Sequence, residues 1–194
     1  MTGNTENRGG RRGSRWRPAA WGFAALILLL PLVAMQLTDE VDWNPADFAV
    51  AAALIVGVGV AYELTVKMTA NAAYRTAVGV GLAGAFILIW LNLAVGIIGT
   101  EDNPANLMYG AVLAVGVMGA LIARFQSDGM ARAMVATALA QVLVAAIAMI
   151  AGMQSPVSPA TEILGLTGFF VALWLISAWL FRKAALEQTP AGGN

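Results

Sequence analysis

Six apolar runs decide most of what this chain can fold into: roughly Ala20–Leu37, Phe48–Val66, Thr76–Gly99, Leu107–Ala123, Met130–Met153 and Ile163–Phe181. A helix that crosses a bilayer needs about 20 mainly apolar residues, with a range of about 17–25, and all six runs qualify. Hydrocarbon leaves no water for exposed backbone groups, so only helices and closed barrels can span it. The polar–apolar alternation of barrel strands is absent. Composition agrees: of 194 residues, 59% are hydrophobic and 11% are charged, where soluble domains average about 45–50% and about 25%. The expected fold is therefore all-α, a polytopic membrane protein of six transmembrane helices.

The charges orient those helices. Eleven residues are basic: Arg8, Arg11, Arg12, Arg15, Arg17, Lys67, Arg75, Arg124, Arg132, Arg182 and Lys183. Threading six helices from a cytoplasmic N-terminus places all of them on one side, which the positive-inside rule makes the cytoplasm. The opposite loops hold only acids: Asp39, Glu40, Asp42, Asp47, Glu101, Asp102 and Glu162. Both termini are expected in the cytoplasm of a bacterium, with the acidic loops outside and the chain in the inner membrane. Residues 1–18, rich in Gly and Arg, are expected to be a disordered basic segment. It would anchor the first helix, and no nucleic-acid partner is expected. A signal peptide is disfavoured, because "LPLVAMQL" puts Met35 or Leu37 where a cleavage site wants a small residue. The bundle is expected over 19–183, followed by a cytoplasmic tail at 184–194.

The chain also repeats. "TDEVDWNPADFAVAAALIVGVGVAYEL", from Thr38, aligns with "TEDNPANLMYGAVLAVGVMGALIARF", from Thr100. Each has Thr and acids, then Asn-Pro-Ala, then a Gly- and Val-rich span ending at a basic residue. "SPVSPATEILG" is a weaker third copy, with Ser158-Pro159-Ala160 in place of the triplet. The reading is three helical hairpins, at about 19–67, 75–124 and 130–182, repeated in parallel rather than inverted orientation.

Two Asn-Pro-Ala triplets in a six-span chain invite comparison with the aquaporin family, and the comparison fails. In aquaporins the triplets sit on half-helices that meet at mid-membrane from opposite sides. Here Asn44-Pro45-Ala46 and Asn103-Pro104-Ala105 lie in loops on the same side, and each opens a run of about 20 residues, or about 30 Å of helix. Their flanks, Asp47 and Asn106, lack the family's His and selectivity Arg. Local chemistry accounts for the triplets: Asn accepts from a helix-start amide, Pro suits the first helical position, and Asp47 favours the positive helix end. Asn44, Asn103 and Ser158 are thus expected to be helix caps.

Functional chemistry is sparse. The chain has no cysteine and no histidine, which removes disulfides, thiolate nucleophiles, Cys/His metal sites and a Ser-His-Asp triad. No catalytic residue, metal site or cofactor is expected, and the chain is read as a non-enzyme. The acids of the outer loops lack EF-hand spacing and read as a solvated face. Three polar residues fall inside spans and form the candidate membrane-embedded site: Glu63, Asn92 and Gln141. Glu63 precedes Lys67 by one turn, which suits an interfacial ion pair and leaves a proton site as the alternative. Asn92 and Gln141 suit interhelical hydrogen bonds. Small residues line one face of the third span (Ala73, Ala77, Gly81, Ala85) and part of the fourth (Gly116, Ala120, Ala123), as close helix packing or a homodimer requires. Pro31 is expected to bend the first helix.

The segments "VGIIGTEDNPANLMYGAVLAVG" and "DFAVAAALIVGVGVAYEL" resemble a group of small bacterial inner-membrane proteins of unassigned activity. That resemblance implies no substrate and no catalytic residue. The expected role is an accessory, sensor or stabilising component of a membrane complex, with the lipid bilayer and another membrane protein, or a second copy of this chain, as partners. The alternative is a small-solute or proton-coupled ion transporter or channel.

Overall fold

A computed structural model describes residues 16–37 and 43–188. Arg8, Arg11, Arg12 and Arg15, the acids Asp39, Glu40 and Asp42, and residues 189–194 of the expected tail lie outside the described residues. Among the described residues six α-helices follow one another: α1 (Trp16–Leu37), α2 (Pro45–Met68), α3 (Ala72–Ala94), α4 (Leu107–Ile122), α5 (Ser127–Ile150) and α6 (Ala160–Gln188). A 3-10 turn, Pro104–Asn106, leads into α4. Five stretches are long and apolar enough to cross a membrane: α2, α3, Pro104–Ile122, α5 and α6; in α1, Ala24–Leu37 is a shorter apolar stretch. Large side chains such as Leu139, Ile150 and Trp179 are exposed on the outer surface, a surface suited to hydrocarbon rather than water.

Helix ends depart from the sequence reading in two places. Residues 16–18, expected to be disordered, begin α1; a proline at 18 falls in the first turn, where no helix bond uses its missing amide. Helix α6 runs to Gln188, five residues past the expected end of the bundle. Its last turns have something to pack on: Ala184 is wholly buried, Glu187 accepts from Asn71 Nδ2 at 2.9 Å, and Gln188 Oε1 accepts from Ser127 Oγ at 3.0 Å.

The chain divides into two compact units, residues 1–60 and 61–194. In the first, the Trp21 indole covers Gly59 so closely that a Cβ there would lie 2.8 Å from the ring. The start of α2 is closed by reciprocal bonds. Asn44 Oδ1 accepts from the amides of Ala46 (2.7 Å) and Asp47 (3.3 Å), while Asp47 Oδ2 accepts from Asn44 N (2.8 Å). This is a capping box built from Asn and Asp. Asn44→Ala is expected to lower the thermal stability of the purified chain by about 1 kcal/mol, with recovery in Asn44→Ser; an unchanged midpoint would mean the cap contributes nothing.

In the second unit α3, α4, α5 and α6 form a bundle in which α5 packs along α4 and α6, and α6 also packs along α3. Helices α3 and α4 follow one another in sequence but meet only briefly. Each takes its main neighbour elsewhere, because the small faces point that way. Ala77 is wholly buried and its carbonyl accepts from Ser177 Oγ at 2.8 Å. A Cβ on Gly84 would sit 3.1 Å from the Trp174 ring, and one on Gly119 would sit 2.7 Å from Ala133 Cβ. Both small faces are therefore covered within the chain: that of α3 by α6 and that of α4 by α5.

The two ends of the bundle are fixed by hydrogen bonds across long sequence separations. At one end the α2–α3 turn, the α4–α5 turn and the end of α6 converge through Asn71–Glu187, Ser127–Gln188 and Tyr74 Oη donating to Phe125 O at 2.7 Å. Lys67, Arg75, Arg124, Arg132, Arg182 and Lys183 all belong to this end. The Arg75 guanidinium bonds the carbonyls of Val66 and Thr69, both at 2.7 Å, and so completes the end of α2. Arg132 is ion-paired with Asp128 one turn earlier, on an exposed face. At the opposite end the loop between α3 and α4 meets the turn before α6, where Ser158 Oγ accepts from Gly99 N at 2.7 Å.

Candidate functional site

The loop 95–106 is held by side-chain hydrogen bonds from Asn103, Asn106 and Ser158. Helix α3 stops because Gly96, at φ 72°, turns its amide back to Leu91 O at 3.0 Å, the left-handed ending that glycine favours. Ile97 and Ile98 then dip into the core, 2% and 0% exposed. Their amides would be buried without partners, and Asn106 supplies both: its Oδ1 accepts from Ile97 N at 3.1 Å and Ile98 N at 2.9 Å, while its Nδ2 donates to Thr100 O at 2.8 Å. Asn103 caps the following 3-10 turn through Ala105 N at 3.0 Å. The two triplets thus share one function, a side-chain cap, but differ in the next residue. Asp47 closes its own helix, whereas Asn106 holds the preceding loop.

Ser158 does not cap α6. Its hydroxyl accepts from Gly99 and pairs with Ser155 Oγ at 3.2 Å. In the first turn of α6 the amides of Glu162 and Ile163 go to the Pro159 carbonyl. The reason is a tight Ser155–Ser158 turn, closed by a two-way backbone bridge, which places Ser158 one residue too early to serve the helix.

Of the three expected membrane-embedded polar residues, two enter the same bundle. Gln141 is wholly buried on α5, and Asn92 lies on α3 with its Nδ2 donating to Leu88 O at 2.7 Å. Glu63 lies elsewhere: it is half-buried near the end of α2, a helix that gives no residue to the buried core cluster among the described residues. It is also at the basic end, whereas Asn92 is three residues from the opposite end of α3.

Close contacts fix the register of the bundle. A Cβ on Gly81 would lie 3.3 Å from Ser177 Oγ and 3.6 Å from Met134 Sδ; one on Gly116 would lie 3.1 Å from Thr137 Oγ1. Moving two helical turns from Gly81, Met134 and Ser177, and one turn along α4 from Gly116, gives Leu88, Gln141, Phe170 and Val112. All four are 0% exposed. They form the central layer of the bundle, one residue from each helix, and Gln141 is its single polar member.

Polar atoms flank this layer. One turn toward the acidic end are Asn92, Tyr109 and Thr167; one turn toward the basic end is Trp174. Among the described residues, Asn92 Oδ1, Tyr109 Oη, both amide atoms of Gln141, Thr167 Oγ1 and Trp174 Nε1 are buried without a hydrogen-bond partner. The other buried polar side chains are paired: Asn106 and Ser158 in the loops, Ser127 with Gln188, Thr137 with Ala133 O, and Ser177 with Ala77 O. Every helix of the bundle contributes at least one member of the unpaired set. Tyr109, Thr167 and Trp174 escape a hydropathy reading because each sits in an apolar helix and carries only one polar atom. The site offers neutral donors and acceptors and no ionisable acid or base for neutral pH, since no Asp, Glu, Lys or Arg lies in 76–100, 103–123, 133–161 or 163–181.

No protein-family model, curated protein or solved structure matches this chain.

Proposed function

We propose that the chain is a non-enzymatic, multi-pass component of the bacterial inner membrane, an accessory, sensor or stabilising subunit that acts by packing in the bilayer against another membrane protein or a second copy of itself. One observation carries the reading: no Asp, Glu, Lys or Arg lies in the four runs of α3–α6 given above. Proton- or ion-coupled transport and acid–base catalysis both work through such groups in their path. The grouping of six basic residues at one end of the bundle supports an orientation with that end, and both termini, in the cytoplasm.

The second reading, a small-solute or ion transporter or channel, draws on Asn92, Gln141 and Glu63. Reconstitution separates the two. The purified chain in proteoliposomes is expected to carry no proton, ion or water flux above empty vesicles, and to co-purify in mild detergent as a defined hetero- or homo-oligomer. A flux abolished by Glu63→Gln together with Asn92→Ala would overturn the proposal.

Topology has its own test, made simple by the absence of native cysteine. Single cysteines at Asp102 and Thr161 are expected to react with an impermeant maleimide in intact spheroplasts. Cysteines at Arg124 and Glu187 should react only after lysis. The reverse pattern would invert the orientation.

A further inference from the structure

We propose that α3–α6 enclose an internal hydration site, in which bound water bridges Gln141 to Tyr109, Thr167 and Asn92 on one side and to Trp174 on the other. The register puts these residues within about 12 Å of bundle axis, from Trp174 to Asn92, around the central layer of Leu88, Val112, Gln141 and Phe170. Gln141, Tyr109, Thr167 and Trp174 are all more than nine-tenths buried. Their polar atoms, with Asn92 Oδ1, lack partners among the described residues.

The chemistry of the set selects the occupant. A buried amide carbonyl, amide nitrogen, hydroxyl or indole N–H is strongly disfavoured in an apolar interior unless hydrogen-bonded. Trp174 Nε1 can only donate and Asn92 Oδ1 can only accept, while Gln141 and the hydroxyls of Tyr109 and Thr167 do both. A buried water wants two to four such partners, and this mixture supplies them on both sides of Gln141. An ion does not fit, because no side chain of the interior carries a charge to balance it. A larger solute does not fit either, because the three apolar members of the central layer are already packed to zero exposure.

The test is X-ray radiolytic labelling of the full chain in lipid nanodiscs, read by mass spectrometry. Radicals form from bound water, so buried side chains label only where water touches them. After correction for intrinsic reactivity, Tyr109 and Trp174 are expected to label several-fold faster than Ile163 and Phe181, which are equally buried and have no polar side-chain atom. Labelling no faster than those two controls would overturn the proposal, leaving direct side-chain pairing in a dry core. In a second arm, Gln141→Leu is expected to reduce labelling at both residues several-fold with helix content unchanged. If that variant does not fold, Thr167→Val is expected to reduce labelling at Tyr109. Persistent labelling in a folded variant would also overturn the bridging role assigned to these side chains.

Discussion

Replacing Asn106 with alanine is expected to destabilise the α3–α6 bundle by roughly 2–6 kcal/mol, because two buried amides lose their acceptor at about 1–3 kcal/mol each. Ile97 N and Ile98 N both bond to Asn106 Oδ1, and neither isoleucine has more than 2% of its surface exposed. Water cannot reach them in place of the amide without lifting both side chains from the core. Asn106→Asp separates the two roles of the side chain. It keeps the acceptor and loses the donation to Thr100 O, so its effect should be smaller than that of alanine. Asn103→Ala removes one bond, to Ala105 N, and should cost about 1 kcal/mol. Chemical unfolding in mild detergent, followed by circular dichroism, ranks the three. An Asn106→Ala loss no larger than that of Asn103→Ala would show that the loop does not depend on this side chain.

Gly119→Ala should destabilise the bundle by about 1–3 kcal/mol, although alanine is the better helix former. The added Cβ would meet Ala133 Cβ at 2.7 Å and Ala133 Cα at 3.2 Å. Neither is the end of a flexible side chain, so relief requires α4 and α5 to separate. Gly110, on the same helix, has nothing within 4 Å of its Cβ position; Gly110→Ala should therefore stabilise by about 0.5–1 kcal/mol through propensity alone. Opposite signs at two glycines of one helix are a demanding outcome. Ala133→Gly placed with Gly119→Ala removes the nearer contact, and a double-mutant cycle should give a coupling of about 1 kcal/mol or more. Additive effects would place the cause of the Gly119→Ala loss outside the α4–α5 contact.

Much of this architecture is legible in the chain because hydropathy and helix period are local signals. The apolar runs mark the helices to within a few residues, except where α3 stops at Ala94, five residues short of the end of its run at Gly99, and where burial extends α6 past Lys183. The caps at Asn44 and Asn103 are legible because their partners lie two or three residues away. Ser158 misleads for the opposite reason: its partner, Gly99, is 59 residues distant. Asn106 has the same character in smaller degree, since its partners lie in the loop behind it rather than the helix ahead. Gln141 and Asn92 stand out as amides in apolar runs. Their grouping with Tyr109, Thr167 and Trp174 depends on which helix packs on which. Sequence order pairs α3 with α4, and only the small faces against α5 and α6 show the actual neighbours.

The bond from Ser177 to the Ala77 carbonyl spans one hundred residues, and this bears on how the protein is made. Arg75 can close the end of α2 with atoms no more than nine residues away, as soon as that turn leaves the ribosome. Helix α3 then waits in the translocating membrane through the synthesis of two more helices before its partner exists. Until α6 arrives, Ala77 lacks the Ser177 hydroxyl that bonds its carbonyl, and Gly84 lacks the Trp174 ring that covers it. Helix α6 therefore completes the packing of both α3 and α5.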